Sequence, residues 1–151
     1  MEGCINLGIK YERGQGVARD PAQAAGLFEQ ACEEGAALGC SNLGALYAAG
    51  SGVPQDLTRA VGLYRQACDG DAMVGCFKLG DLYATGVGVA QDYAQADTLL
   101  TKACDGRHAE SCFRMGDMFA TGTGVDRDLS RAARRFRRAC RLGYEDACRK
   151  D

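Results

Sequence analysis

Apolar residues recur along this chain at helical spacing, and the whole pattern repeats every 36 residues. The stretch from Cys68 to Asp92 holds one copy: a cysteine, seven residues, a second cysteine, then L-G-x-x-Y-x-x-G-x-G-V-x-x-D. Thirty-six positions earlier it reads Cys32, Cys40, Leu43, Gly44, Tyr47, Gly50, Gly52, Val53, Asp56. Thirty-six later it reads Cys104, Cys112, Met115, Gly116, Phe119, Gly122, Gly124, Val125, Asp128. A fixed period of this length marks a repeat array, in which each unit buries its apolar face on its neighbours. The spacing predicts a helix over residues 1–13, where Ile5, Leu7, Gly8 and Tyr11 fall at roughly helical intervals. A second helix starts at Pro21, carries Ala24, Leu27, Phe28, Ala31 and Cys32 on one face, and ends at Gly35. The pair recurs as helix A over about 37–49, 73–85 and 109–121, and helix B over about 57–69, 93–105 and 129–142.

Local signals agree with these elements. Asp20 is placed as an N-cap, with Pro21 at the first helical position where its missing N–H costs nothing. Asp56, Asp92 and Asp128 repeat the cap. Gly8, Gly44, Gly80 and Gly116 lie inside helix A, where a glycine costs about 1 kcal/mol relative to alanine. Four in register imply close approach of a neighbouring helix, and the small residues Ala24, Ala60, Ala96 and Ala132 on helix B fit the same need. The G-x-G-V turn follows a helix rather than a strand and lacks a phosphate loop's further residues, so its glycines are assigned to left-handed turn angles. The repeats run about 1–35, 36–71, 72–107 and 108–143, with a closing helix piece at 144–151, as a single solenoid over 1–151.

Composition adds the redox and charge picture. The nine cysteines fall at 4, 32, 40, 68, 76, 104, 112, 140 and 148, alternating gaps of 28 and 8. Pairs at a fixed spacing read as structural disulfides in an oxidising compartment. With His108 the one histidine, ordinary Cys/His zinc spacing is impossible, and no metal or cofactor is expected. No apolar run approaches 18 residues, so no membrane span is expected. Met1 is followed at once by repeat sequence; the protein is either intracellular or its signal lies outside these residues, and the cysteines favour a secreted or periplasmic location. A formal charge of −2 gives no call for nucleic acid, but it is unevenly spread. Residues 1–125 carry nine basic and fifteen acidic side chains, whereas 126–151 carry nine and five.

The motif L-G-x-x-Y-x-x-G-x-G-V-x-x-D followed by A-x-x-L-[FY]-x-x-A-C resembles the Sel-one-like repeat, a relative of the tetratricopeptide repeat. The C-x7-C pairs resemble the cysteine-rich secreted bacterial branch, the Hcp-type proteins. The resemblance implies an all-α fold, a right-handed α/α solenoid with disulfides stapling helix B to the next helix A. Those would be Cys32–Cys40, Cys68–Cys76, Cys104–Cys112 and Cys140–Cys148. Free thiols filling a core as small hydrophobes are the alternative. Cys4 matches the second cysteine of a pair; either the array continues before Met1 or the thiol is unpaired and open to intermolecular bonding by an otherwise monomeric protein. The resemblance also implies adaptor or binding roles, with penicillin binding or weak β-lactamase activity as the alternative.

No catalytic residue is assigned. A serine β-lactamase needs S-x-x-K, and Ser41, Ser51, Ser111 and Ser130 are followed three residues on by Gly44, Pro54, Arg114 and Ala133. The positions that vary between repeats are more informative. On helix A they are Asn6, Asn42, Lys78 and Arg114; Ile9, Ala45, Asp81 and Asp117; and Arg13, Ala49, Thr85 and Thr121. Offsets of 3, 4 and 7 place them on one face, which lines the concave side of stacked helix pairs. Lys78 with Asp81, and Arg114 with Asp117, put opposite charges there, suited to an extended protein or peptide partner. A solvated face with weak i,i+3 pairs is the other reading. In the last helix B, Arg135 replaces Leu27, Leu63 and Leu99, and Arg131, Arg134, Arg137, Arg138 and Arg141 accompany it. These arginines read as a polar cap of the terminal repeat, or as an anion patch. The expected function is therefore a binding scaffold whose candidate residues are Asn42, Lys78, Asp81, Thr85, Arg114, Asp117 and Thr121.

Overall fold

The computed structural model describes residues 1–150. Among them every regular element is helical: α1 Glu2–Arg13, α2 Pro21–Glu33, α3 Ala37–Ala49, α4 Leu57–Asp69, α5 Met73–Thr85, α6 Tyr93–Asp105, α7 Ala109–Thr121, α8 Leu129–Arg141 and α9 Glu145–Cys148. The fold is all-α, an α/α solenoid of four repeats of about 36 residues. The chain forms two compact units, Met1–Gly75 and Cys76–Asp151, so α5 begins at the end of the first.

Each repeat is built by the same local devices. The Asp20, Asp56, Asp92 and Asp128 carboxylates accept from the backbone N–H three residues on, at 3.0–3.1 Å, satisfying a donor that the first helical turn leaves open. Their own N–H groups donate to the carbonyls of Tyr11, Tyr47, Tyr83 and Phe119, which ties the turn back onto helix A. A second tie recurs one residue earlier: Arg19 Nε, Gln55 Nε2, Gln91 Nε2 and Arg127 Nε donate to the carbonyl seven residues back, at 2.8–3.1 Å. Helix A ends on a left-handed glycine; at Gly50 φ is 66°. Gly52 also has positive φ, and a Cβ there would run into the Pro21–Ala22 backbone. The G-x-G pair thus serves both the turn and a close approach to the preceding helix B.

The glycine inside helix A faces helix B. A Cβ on Gly116 would lie 2.5 Å from the Phe136 ring, on Gly8 2.6 Å from Phe28, on Gly44 3.0 Å from Tyr64, and on Gly80 3.0 Å from Leu100. The residues pressed into these notches are therefore the large ones. The alanines four positions earlier are buried beneath them.

In the first unit the core is Ile5, Ala24, Ala25, Phe28, Ala31, Leu43 and Leu46, with Ile9, Tyr11, Tyr47 and Leu63 at its edge. Burial of Tyr64 pushes its phenol up to about 12. In the second unit Leu79, Leu100, Met115, Phe119 and Phe136 are buried. Phe113 on α7 meets both Phe136 on α8 and Tyr144, the N-cap of α9, at centroid distances of 5.5 and 4.7 Å, and α9 packs on α8.

The expected pairs Cys32–Cys40, Cys104–Cys112 and Cys140–Cys148 are disulfides with Cα atoms 4.6–4.8 Å apart. Cys68 and Cys76 are disulfide-bonded too. Each bridge closes a loop of eight residues, which by chain entropy contributes about 2.5 kcal/mol. Cys4 is a free thiol, half-buried against the core of the first unit.

Candidate functional site

Helix α5 presents Lys78, Asp81 and Thr85, and helix α7 presents Arg114, Asp117 and Thr121. The offsets of three and four residues put each trio on one helix face, as the sequence implies. The pairing between them differs from the expected one. Arg114 Nη2 lies 2.6 Å from Asp81 Oδ1, bridging α7 to α5 rather than turning to Asp117 on its own helix. Asp117 is met instead by Lys150, with Nζ 3.8 Å away. Lys78 stays exposed, its ammonium 5.6 Å from the centre of the Phe77 ring. The reason is register. A residue on one helix A stands beside its neighbour's charge across the interhelical gap, so the shorter reach is between helices. Both pairs are partly solvated, with side-chain exposures of 41 and 36 % for Arg114 and Asp81. Such pairs are worth up to about 1 kcal/mol, and they hold the charges in fixed positions more than they stabilise the fold.

The two threonines are tied down. Thr85 Oγ1 donates to the Asp81 carbonyl at 2.9 Å, and Thr121 Oγ1 donates to the Asp117 carbonyl at 2.8 Å. Thr121 and Thr123 hydroxyls are also 2.8 Å apart. Two depressions adjoin Asp117 and Thr121. The larger, about 380 Å³, has an apolar floor of Leu129, Ala132, Ala133 and Phe136 with Lys150 at its rim. The smaller, about 240 Å³, is bounded by Arg114, Met118 and Thr123. Leu129 is 58 % exposed. Lys150 and Leu129 lie outside the helix A pattern, and nothing in the periodicity marks them. Asn42, half-buried on α3, belongs to the first unit.

One departure from the repeat also lies here. Where earlier repeats carry Ala36 or Ala72, the fourth carries His108; where they carry Gly39 or Gly75, it carries Ser111. His108 Nδ1 and Ser111 Oγ are 2.8 Å apart, and the imidazole stacks on Phe77 at 4.9 Å. Burial lowers the imidazole pKa, a nearby Glu110 raises it, and Lys78 lowers it. Ser111 is 0 % exposed, so its hydroxyl is a hydrogen-bonding partner and not a reachable nucleophile. Among the described residues no group of three His, Cys, Asp or Glu side chains is placed to hold a metal ion. No helix there is long and apolar enough to cross a membrane.

At the other side of α8, Arg135 does not face an open end of the array. Its Nη1 lies 3.4 Å from Cys104 Sγ and 3.8 Å from Asp105 Oδ1, in the preceding helix B. In the first unit, Leu63 at the same position packs on Cys32 and Cys40. Arg135 thus lays its guanidinium against the neighbouring disulfide's Cys104 sulfur and the Asp105 carboxylate.

Helix pairs stapled by disulfides, with a fixed core and a variable polar helix face, define a helical-repeat protein. The chain belongs to the Sel1 repeat family, whose repeat matches residues 2–35, 37–71, 74–108 and 109–144. No curated protein matches it. Among solved structures it is similar to a Sel1 repeat protein from Oxalobacter formigenes, at 28 % identity and a TM-score of 0.90, covering 95 % of this chain and 59 % of that one. It is similar to a protective antigen of uropathogenic Escherichia coli with an SLR fold, at 32 % identity and a TM-score of 0.88, covering 97 % of this chain and 31 % of that one. It is also similar to cysteine-rich protein B of Helicobacter pylori, at 31 % identity and a TM-score of 0.67, covering 83 % and 90 %. The chain thus spans less than two thirds of the first two proteins. Its disulfides fit an oxidising compartment.

Proposed function

We propose that the protein is a binding module in which the helix A face of the second unit, α5 with α7, receives an extended segment of a protein partner in an extracytoplasmic compartment. Membership of the Sel1 repeat family supports the general role, since these repeats generally mediate protein interactions. The observation that carries the choice of face is the charge ladder Asp81–Arg114 and Asp117–Lys150, set beside an apolar depression floored by Leu129 and Phe136. A peptide there has fixed charges to pair with, hydroxyls at Thr85 and Thr121, and one apolar pocket for an anchoring side chain. Lys78, exposed and without a carboxylate partner among the described residues, is the free cation of the face and suits a carboxylate on the ligand.

The test uses a random-peptide phage library panned against the oxidised protein. At least one group of the sequences selected by the wild type should bind Lys78→Ala with Arg114→Ala about tenfold more weakly, a loss of about 1.4 kcal/mol. That group should bind Arg134→Ala with Arg138→Ala unchanged. Helical circular dichroism should be the same for all three. A selection in which every peptide ignores the first double variant would reject this face.

A further inference from the structure

The arginines of α8 are not spent on the reading above. Six of them, at 131, 134, 135, 137, 138 and 141, cover about 160° of the helix circumference at 100° per residue. With Phe119 they line a groove of about 600 Å³. Arg131 is paired with Asp128 at 3.5 Å, and Arg135 approaches Asp105. Arg134, Arg137 and Arg141 are exposed and have no partner among the described residues. Arg138 donates through Nη2 to the Asp105 carbonyl at 3.4 Å, while its Nε–H is buried with no acceptor. A buried charged donor left unmatched is costly, and an arriving carboxylate would relieve it.

Past Phe119 and Arg131 the character of the surface reverses. These two residues are shared with a second hollow of about 410 Å³, lined by Asp97, Asp126 and Asp128. Arg127 borders it too, but its Nε is engaged by the Ala120 carbonyl at 3.1 Å. Asp97 and Asp126 have no partner among the described residues. The two hollows meet at Phe119 and Arg131, whose guanidinium lies over the buried Phe119 ring, 5.7 Å from its centre; the surface is basic along α8 and acidic beyond its N-terminus. From the geometry we infer that this groove binds a charge-block peptide: a short extended segment with Asp or Glu at one end and Lys or Arg at the other. The basic part alone, from Asp128 to Arg141 along the helix, is about 20 Å, at 1.5 Å per residue. An extended peptide at 3.3 Å per residue spans it with about six residues. A uniform polyanion such as a nucleic acid or polyphosphate meets three carboxylates at the far end and is disfavoured there. This is what separates a peptide from the other ligands that six arginines alone would admit.

The probes are fluorescein-labelled octapeptides read by anisotropy at low salt. One carries three glutamates, an alanine, a phenylalanine and three lysines in that order, a second carries the same blocks reversed, and a third has the same composition with charges alternating. Octaglutamate and inorganic tripolyphosphate complete the set. One of the two block peptides should bind at least tenfold more tightly than the alternating peptide and than octaglutamate. Arg134→Ala with Arg141→Ala should lose that binding while leaving the melting curve unchanged. Asp97→Ala with Asp126→Ala should shift the preference toward octaglutamate by tenfold or more. Lys78→Ala with Arg114→Ala should leave the block peptide unaffected, which keeps this site distinct from the helix A face. Equal binding of block and alternating peptides, tighter binding of octaglutamate or tripolyphosphate by the wild type, or no binding of any probe would overturn the inference.

Discussion

Substituting alanine for Gly116 sets two effects of known sign against each other. Alanine in a helix interior is favoured over glycine by about 1 kcal/mol. The new Cβ, however, would stand 2.5 and 2.6 Å from two atoms of the Phe136 ring and 3.0 Å from a third. Phe136 is buried and its ring is also held by Phe113, so it has little room to yield. Overpacking of this kind costs typically 1–3 kcal/mol. The balance is a loss of about 1 kcal/mol, or roughly 2–4 °C for a chain of this size. Gly80 is the internal control, since its neighbours are farther away: two Leu100 carbons at 3.0 and 3.2 Å and the Leu99 Cβ at 3.3 Å. A leucine gives way by rotamer adjustment more readily than a wedged ring, so Gly80→Ala should be closer to neutral. Phe136→Leu copies the pairing of the third repeat into the fourth. Combined with Gly116→Ala, it should be less damaging than the sum of the two single changes by more than about 0.5 kcal/mol. Urea unfolding followed by circular dichroism at 222 nm measures all four proteins. A higher midpoint for Gly116→Ala, or strict additivity of the double variant, would refute the wedge.

Other consequences are quicker to measure. Alkylation without reduction should place one label per chain, on Cys4, and stepwise reduction should expose Cys140 and Cys148 before Cys104 and Cys112, because Cys148 is exposed and the other pair is fully buried. The lowered imidazole pKa of His108 gives the fold an acid-side weakness. As pH falls below the ordinary value of about 6.5, the unfolded chain takes up the proton first, so stability drops until the folded value is reached. His108→Asn should remove this limb from a series of melting curves recorded between pH 7.5 and 4.5; an unchanged limb assigns it to the carboxylates instead. Lys78→Ala should raise the His108 pKa, read from the ring proton shifts by NMR, since Lys78 contributes to lowering it. Asp117→Asn should free Lys150 without moving the Asp81–Arg114 contact, leaving the melting point within about 0.5 kcal/mol of wild type.

The repeat frame was legible in the sequence because its determinants are local. A carboxylate three residues before the N–H it accepts, or a glycine where φ must be positive, has the same meaning wherever it stands. Asp56 and Gly50 could therefore be assigned without knowing any neighbour. The C-x7-C spacing is local in the same sense, since it brackets one helix turn. What stayed hidden depends on the register between helices. The residue that fills the notch at Gly116 is Phe136, twenty positions away, and no spacing rule selects it over Ala132. Arg135 looked like an end-facing cap because charge normally marks an outer surface, yet the position points back to Cys104. The tie from Gln55 and Gln91 to helix A is not legible in the sequence, because glutamine and arginine, which share no obvious pattern, make the same bond in different repeats.

The same distinction explains why the candidate face is confined to part of the array. A charge ladder needs opposite signs on successive helices at fixed registers. At the position of Asp81 and Asp117 the earlier repeats carry Ile9 and Ala45, and at the position of Lys78 and Arg114 they carry Asn6 and Asn42. The first two repeats therefore cannot form a ladder, whatever their packing, and only the third and fourth can. Within those two, the interhelical contact takes Arg114 to Asp81 and leaves Lys150 for Asp117, so one cation, Lys78, remains for a ligand. Core positions answer to a neighbouring repeat and must stay constant for the helices to stack. The face makes only partly solvated pairs within the chain, Arg114 with Asp81 and Lys150 with Asp117, and its charges differ from repeat to repeat. On the proposed reading, binding specificity is carried by residues outside the core, at positions the helices hold in fixed register.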